Sequence, residues 1–189
     1  MAEYFNLLSV RWHCLPSVNK LCCIISQRAQ TAIENELGRF PYTETGGLLL
    51  GYYKPEKGIF VLEATDSGYQ DVIHEVGCFQ YDTAYEEHLC GILSSLYKPP
   101  LQLVGVWHKH NSVHSDVGLP FSHADEDMHN QLMKNGCPCV SILFEKNNIS
   151  DLEVRYKTSV FWLSADGQHQ EITEITTWNK ISCENFLTR

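Results

Sequence analysis

The chain has 189 residues, 43% of them hydrophobic and 20% charged, a composition that excludes a disordered or fibrous protein. Its 14 Lys and Arg face 23 Asp and Glu, and the resulting net charge of −9 argues against nucleic acid as a partner. This length is typical of one domain, so we expect a single domain over residues 1–189.

The N-terminal segment has none of the features of an export signal or a membrane span. It lacks a basic leader, and Arg11, Asn19 and Lys20 interrupt its apolar stretches. No stretch of the chain reaches the roughly 18 apolar residues of a membrane helix. We therefore expect a cytoplasmic protein without a membrane partner, whose eight cysteines are reduced thiols.

The first third of the chain predicts strands around one helix. Two short apolar runs are typical of strands, although the second can also open a helix: residues 6–12 and 21–25. Ser26 is a candidate cap for a helix that runs to Leu37, before Gly38. Its apolar positions share one face, at Ala29, Ile33 and Leu37. Two further apolar stretches predict a hairpin, at residues 46–53 and 58–64.

The rest of the chain alternates between helical and strand patterns. An irregular loop is expected over residues 66–80, where Phe79 is a candidate for lining a substrate groove. Helices are predicted over residues 82–97 and 122–134. A buried strand is predicted over residues 101–107, and further strands over residues 138–144, 153–163 and 170–175. Trp107 and Trp162 lie in apolar strands, so we expect both in the core. The pattern favours an α/β or α+β fold, a sheet covered by helices.

Two histidines stand at the end of one predicted strand. Because side chains alternate along a strand, His108 and His110 point to the same side and can share a metal ion. Neutral imidazole is a ligand that zinc prefers. The chain has nine histidines, however, so two ordinary surface histidines remain the alternative for this pair alone.

Two polar residues open the helix that follows. Ser122 and Asp125 are three residues apart, so both can face one cleft. A carboxylate there would add a third ligand to the two histidines and leave a fourth position for water, as in catalytic zinc sites. The alternative is that Ser122 and Asp125 only cap the helix.

A carboxylate before the predicted hairpin is a candidate catalytic base. Glu44 precedes Gly46 and Gly47, which allow close approach of a backbone or a substrate, and then a buried strand. A carboxylate at that strand edge can take a proton from water beside a metal. The alternative is an ordinary solvated glutamate in a loop.

In combination these motifs resemble the JAMM (JAB/MPN+) metalloproteases. The resemblance rests on Glu44, the Gly-Gly-Leu-Leu-Leu-Gly run after it, His-x-His at the strand end and Ser-x-x-Asp on the next helix, within residues 44–144. It implies a cytidine-deaminase-like JAB/MPN fold around a curved sheet. It also implies one zinc per chain, held by His108, His110 and Asp125, with Glu44 as the acid/base and Ser122 stabilising the oxyanion.

The prokaryotic members encoded beside E1-like and E2-like proteins resemble this chain most. The resemblance therefore implies a zinc-dependent isopeptidase of the deubiquitinase type, which removes a ubiquitin-like modifier or a conjugated protein C-terminus from its target. E1-like and E2-like conjugation proteins are possible partners on the same ground. The alternative function is an inactive MPN scaffold that binds protein partners, a class that usually lacks one or more of the ligands.

Two departures from the family pattern affect the loop after the histidines. Asn111 replaces the usual proline, and the segment before Ser122 has ten residues, 112–121, instead of seven. Five nearby residues are alternative ligands, each less favoured than the three named above: His114, Asp116, His123, Asp127 and His129.

The cysteines suggest a further reading, a thiol peptidase or a structural zinc site. The pairs involved are Cys22 with Cys23 and Cys137 with Cys139. Their spacing differs from the two-residue gap of zinc knuckles and thioredoxin-like motifs. We expect them to pack as small hydrophobic residues.

Overall fold

A curled, half-barrel mixed sheet with helices against it forms the centre of this α+β fold. The computed structural model describes residues 22–54, 58–111, 121–137, 139–150, 153–163, 169–172 and 175–178. Within these ranges there are three helices: α1 (Gln27–Arg39), α2 (Thr83–Ser95) and α3 (His123–Lys134). The strands of the same ranges are β1 (Cys23–Ser26), β2 (Thr45–Lys54), β3 (Gly58–Ala64), β4 (Ile73–His74), β5 (Phe79–Gln80), β6 (Gln102–His110), β7 (Val140–Ser150), β8 (Glu153–Trp162), β9 (Gln170–Glu171) and β10 (Ile175–Trp178).

The main sheet places β6 near its middle. Among the described residues it has eight strands in the order β10-β1-β3-β2-β6-β7-β8-β9, and β4 pairs separately with β5. β2 forms the predicted hairpin with β3 and also pairs antiparallel with β6. β6 and β7 are parallel, with α3 between them in the chain. The end of β6 is therefore held from both sides.

The largest core cluster lies where α1 covers the sheet. Ser26 caps this helix, accepting a hydrogen bond from the Ala29 backbone N–H at 3.1 Å. The predicted apolar face, Ala29, Ile33 and Leu37, is buried against residues of β2 and β3 such as Leu49. Both the cap and the buried face of the predicted helix are thus confirmed, although the helix continues past Gly38 to Arg39.

Several predicted boundaries were wrong, and long-range pairing explains them. The strand over 101–107 continues to His110 because β7 pairs with it as far as Glu145. The strand predicted over 138–144 likewise extends to Ser150, where it pairs with β8. Residues 170–175 do not form one strand. Gln170 and Glu171 form β9, and Ile175 begins β10, which lies at the opposite edge of the sheet. The loop over 66–80 contains the short strands β4 and β5.

Two sequence predictions fall outside the described residues: the strand over 6–12, and the placing of His114 and Asp116. Each helix in the described ranges falls short of the length and apolar character that a membrane span requires.

Candidate metal centre

The C-terminal end of β6 carries the two histidines on one side of the strand. His108 and His110 are 5% and 4% exposed, and their Nε2 atoms lie 2.9 Å apart. The neighbouring strands fix this geometry, since Gly46 lies opposite His108 in β2 and Glu145 lies opposite His110 in β7. The alternation in the sequence therefore does bring both imidazoles to one point.

The first turn of α3 brings a carboxylate to the same point. Asp125 Oδ1 is 3.5 Å from His108 Nε2, and Asp125 Oδ2 is 3.5 Å from His110 Nε2. A tetrahedral zinc ion with bonds of about 2.0–2.1 Å has its donor atoms about 3.4 Å apart. The observed separations of 2.9 and 3.5 Å bracket this spacing. Two imidazoles and one carboxylate, mostly buried and converging on one point, form a group that can hold a metal ion.

Ser122 caps α3 and at the same time holds the carboxylate. Its Oγ accepts a hydrogen bond from the Asp125 backbone N–H at 3.2 Å and donates one to Asp125 Oδ2 at 2.8 Å. The Ser122 backbone N–H donates to the same oxygen at 2.7 Å, which completes a capping box. The capping and ligand-site interpretations are therefore compatible. To donate to a substrate oxygen, the Ser122 hydroxyl must turn away from Asp125.

The surroundings of Asp125 favour its charged form. Burial alone would raise the pKa of this carboxyl, but the contacts with His110 and His108 and the hydrogen bonds from Ser122 outweigh it and hold the pKa well below its usual range. An ionised carboxylate is the form that binds a metal.

Glu44 lies beside this group because of the pairing between β2 and β6. Thr45 is opposite Lys109, so one further step along the antiparallel ladder brings Glu44 next to His110. The Glu44 backbone N–H donates to the Glu75 carbonyl at 2.7 Å. Burial raises the pKa of the Glu44 carboxyl, and Asp125 raises it further, whereas His110 and Lys109 lower it. A carboxyl with a raised pKa is suited to receiving and returning a proton near neutral pH.

Most of these groups open onto a cavity of about 340 Å³. Glu44, His108, Ser122 and Asp125 line one part of it. The other lining residues are Gly47, Gly77, Cys78, Phe79, Gln80, Tyr81, Thr83, Val106, Trp107, Ala124 and Met128. The structure thus places Phe79 and the end of the 66–80 loop beside the candidate site, as the sequence suggested. Trp107 is core, 1% exposed, and also touches the cavity, whereas Trp162 is half-buried and stacks on Tyr53.

Two glycines allow the strands and the loop to meet at this cavity. A Cβ at Gly46 would lie 2.5 Å from the Trp107 carbonyl oxygen and 2.8 Å from the Phe79 ring. A Cβ at Gly47 would lie 2.4 Å from the Thr65 carbonyl oxygen. These are closer than any side chain tolerates, so the Gly-Gly pair after Glu44 is a requirement for close approach.

Two residues beside the Glu44 segment were not predicted from the sequence. Lys109, between the two histidines, is fully buried and donates to the Phe40 carbonyl oxygen. Burial, with Lys146 nearby, lowers the pKa of this lysine to about 8. His74 contacts the Glu44 carbonyl oxygen through Nδ1 at 2.9 Å. Only an isolated lysine in an apolar strand end could have pointed to Lys109, and no local pattern pointed to His74.

The alternative ligands on α3 do not join the metal-binding group. Within the described residues that group consists of His108, His110 and Asp125. His123 and Asp127 are exposed on the helix. His129 is fully buried and packs edge-on against Phe121, with ring centroids 4.8 Å apart.

The cysteines of the described residues are free thiols, and most are at least partly buried. Cys139 belongs to a core cluster with Leu143, Phe161 and Leu163. Burial and the adjacent Cys22 raise the pKa of Cys23 to about 12. This packing favours the interpretation of these residues as small hydrophobic side chains over a thiol peptidase.

Comparison with solved structures shows the fold alone. The chain is similar to protein DSY2949 from Desulfitobacterium hafniense, known from a solution structure, with a TM-score of 0.50 and 14% sequence identity. The match covers 85% of this chain and 95% of that one. No family model matches the sequence, and no curated protein matches it. The activity therefore has to be argued from the site itself.

Proposed function

We propose that this chain is a zinc-dependent isopeptidase or peptidase of the JAMM type, with a JAB/MPN fold. The observation that carries the proposal is the convergence of ligand atoms from His108, His110 and Asp125, all within 4.8 Å of one another. Glu44 and Ser122 lie on the wall of the cavity that His108 and Asp125 also line. Three ligands with an open side are typical of catalytic zinc, whereas structural sites are closed by four.

The residues divide the chemistry of amide hydrolysis among them. His108, His110 and Asp125 would hold the zinc ion, which would act as a Lewis acid and make water a nucleophile at neutral pH. Glu44 accepts the proton of the attacking water and later returns it to the leaving amine, a role that suits its raised pKa. Ser122, once its hydroxyl turns from Asp125, donates to the carbonyl oxygen as negative charge develops there.

The proposed substrate is the bond between a ubiquitin-like modifier, or a conjugated protein C-terminus, and the lysine of a target. A lysine side-chain amine projects from its protein, so an isopeptide bond can reach a cavity rimmed by Phe79, Gln80 and Tyr81. An extended C-terminal tail can pair with an exposed strand beside such a cavity. The proposal includes E1-like and E2-like proteins as functional partners and a cytoplasmic location.

The test is hydrolysis by the zinc-loaded chain of short peptides joined through their C-terminal carboxyl to a lysine ε-amine, with the last two residues varied. We expect cleavage that a chelator abolishes and that added zinc restores. Glu44→Gln should retain zinc and lose turnover, because the amide accepts no proton. Glu75→Gln is the matched control, since this glutamate side chain is exposed, and it should remain active.

Absence of cleavage across the whole peptide series by zinc-loaded protein would contradict the proposal. The inactive MPN scaffold would then be favoured, and more strongly if the chain also failed to bind zinc. An active Glu44→Gln variant would support a peptidase activity but would exclude Glu44 as its base.

A further inference from the structure

His74 lies between the candidate catalytic glutamate and a buried carboxylate on α1. Its Nδ1 is 2.9 Å from the Glu44 carbonyl oxygen, and its Nε2 is 3.1 Å from Ser67 Oγ. Its ring stacks on Phe40, with centroids 3.7 Å apart and planes inclined by 12°. Both ring nitrogens thus have hydrogen-bond partners, and the ring packs against the C-terminal end of α1.

The donors and acceptors around the ring point to its protonation state. The Glu44 carbonyl oxygen can only accept, so His74 Nδ1 carries a hydrogen. Ser67 has one hydroxyl hydrogen, and it is donated to Glu36 Oε1 at 2.6 Å. Ser67 Oγ must therefore accept from His74 Nε2, which then carries a hydrogen as well. A ring that donates from both nitrogens is an imidazolium.

The buried carboxylate supplies the balancing charge through Ser67. Glu36 is 1% exposed, and its Oε2 pairs with Arg39 at 2.8 Å. Its Oε1 also accepts from the Ser67 backbone N–H and from Thr45 Oγ1, both at 3.2 Å. Every partner of this carboxylate donates to it, which favours the ionised form.

Other charged side chains lie near His74 and Glu36. Arg39 also approaches Asp66 at 3.7 Å. Lys109, from β6, donates to the carbonyl oxygen of Phe40, the residue stacked on His74. On the side of the loop, Glu44 and Glu75 are joined through their main chains at 2.7 Å. The carboxylate that the structure links to the His74 ring is therefore that of Glu36, through Ser67.

We propose that His74, as an imidazolium, is a positioning residue that ties the main chain of Glu44 to the buried Glu36 through Ser67. The link fixes where the Glu44 carboxyl stands relative to His110 and Asp125. The catalytic part of this inference rests on the proposed function, because it needs Glu44 to be the acid/base. The protonation state and the link itself do not depend on it.

The first test is NMR on the full chain at neutral pH, with and without added zinc. We expect both ring nitrogens of His74 to show the ¹⁵N shifts of a protonated imidazolium. An unprotonated ring nitrogen would overturn the inference. This measurement needs no activity, so it is independent of any failure of the proposed function.

The second test compares two amides that each keep half of the link. In His74→Asn the side-chain nitrogen takes the place of Nδ1 and can still donate to the Glu44 carbonyl oxygen. In His74→Gln it takes the place of Nε2 and can reach only Ser67. Both lose the stack on Phe40, so each is the other's control for packing.

We expect the Glu44 carbonyl ¹³C resonance to move in His74→Gln and to stay near its wild-type position in His74→Asn. Turnover should be at least about tenfold lower in His74→Gln than in His74→Asn, with equal zinc content and similar KM, because small displacements of a catalytic group are costly. Equal Glu44 resonances and equal kcat in the two variants would overturn the inference. A wild type without activity would count against the proposed function. The His74 ¹⁵N shifts and the Glu44 carbonyl ¹³C resonance would still test the role of His74.

Discussion

Gly46 lies directly opposite His108 in the antiparallel pairing of β2 with β6. A Cβ at Gly46 would be 3.0 Å from His108 Cβ and closer still to the Trp107 carbonyl oxygen, at 2.5 Å. The strand that follows Glu44 can therefore approach β6 only because it has no side chain at residue 46. The position of Glu44 beside the candidate metal centre depends on this contact.

Replacement of Gly46 by alanine should displace β6 at the ligands and push Phe79 from the cavity wall. We expect a loss of about 1–3 kcal/mol in the free energy of unfolding, as for other overpacked sites, together with weaker zinc binding. Chemical denaturation and zinc titration measure the two effects. Gly91→Ala is the control, because nothing lies within 4 Å of a Cβ there, and alanine in a helix should be stabilising by about 0.5–1 kcal/mol. Unchanged zinc affinity in Gly46→Ala would show that the close approach is not needed.

Removal of the Ser122 hydroxyl should weaken both the helix and the site. Ser122→Ala loses the cap of α3, which costs about 0.5–2 kcal/mol of stability. It also loses the hydrogen bond to Asp125 Oδ2, so zinc affinity and kcat should fall as well. Ser26→Ala is the matched control, because Ser26 caps α1 far from the ligands in sequence and bonds to the Leu62 carbonyl oxygen at 2.6 Å.

The two serine variants separate capping from a role in the site. Both should unfold at lower denaturant concentration, while only Ser122→Ala should lose zinc affinity and turnover at temperatures where both proteins are folded. Equal zinc affinity and equal kcat in Ser122→Ala and Ser26→Ala would show that Ser122 acts only as a helix cap.

The sequence predicted those parts of the site that depend on local patterns. Alternation along one strand placed His108 and His110 together, and three-residue spacing placed Ser122 and Asp125 on one helical turn. His74 could not be found this way, because Glu44 is 30 residues away and β4 has only two residues, too few for a periodicity. β10 was not predicted either, because its partner strand β1 lies at the other end of the described chain. Contacts between segments distant in sequence determine both the position of His74 and the strand β10.

Glu86 should make the protein less stable as the pH rises. Burial raises the pKa of this carboxyl from 4.5 to about 8, despite the hydrogen bond from Thr65. The folded state therefore binds a proton that the unfolded state has released between these two values, so the contribution to stability is complete below pH 4.5 and is lost as the pH rises through about 8. Each pKa unit corresponds to about 1.4 kcal/mol.

Urea unfolding at pH values below and above this window tests the effect. Glu86→Gln mimics the protonated carboxyl, so its stability should fall much less than that of the wild type over the same range. Glu87→Gln, on the exposed side of α2, should follow the wild type. Parallel pH profiles for wild type and Glu86→Gln would mean that Glu86 does not hold the proton.

The most direct test of the metal centre is the zinc content of the full chain, measured by elemental analysis after incubation with zinc and removal of the excess. We predict about one zinc ion per chain, lost in His108→Ala and in Asp125→Asn and retained in Asp127→Asn, whose side chain is exposed on the same helix. A wild-type chain that takes up no zinc, or an Asp125→Asn variant that binds it as tightly as the wild type, would contradict the account.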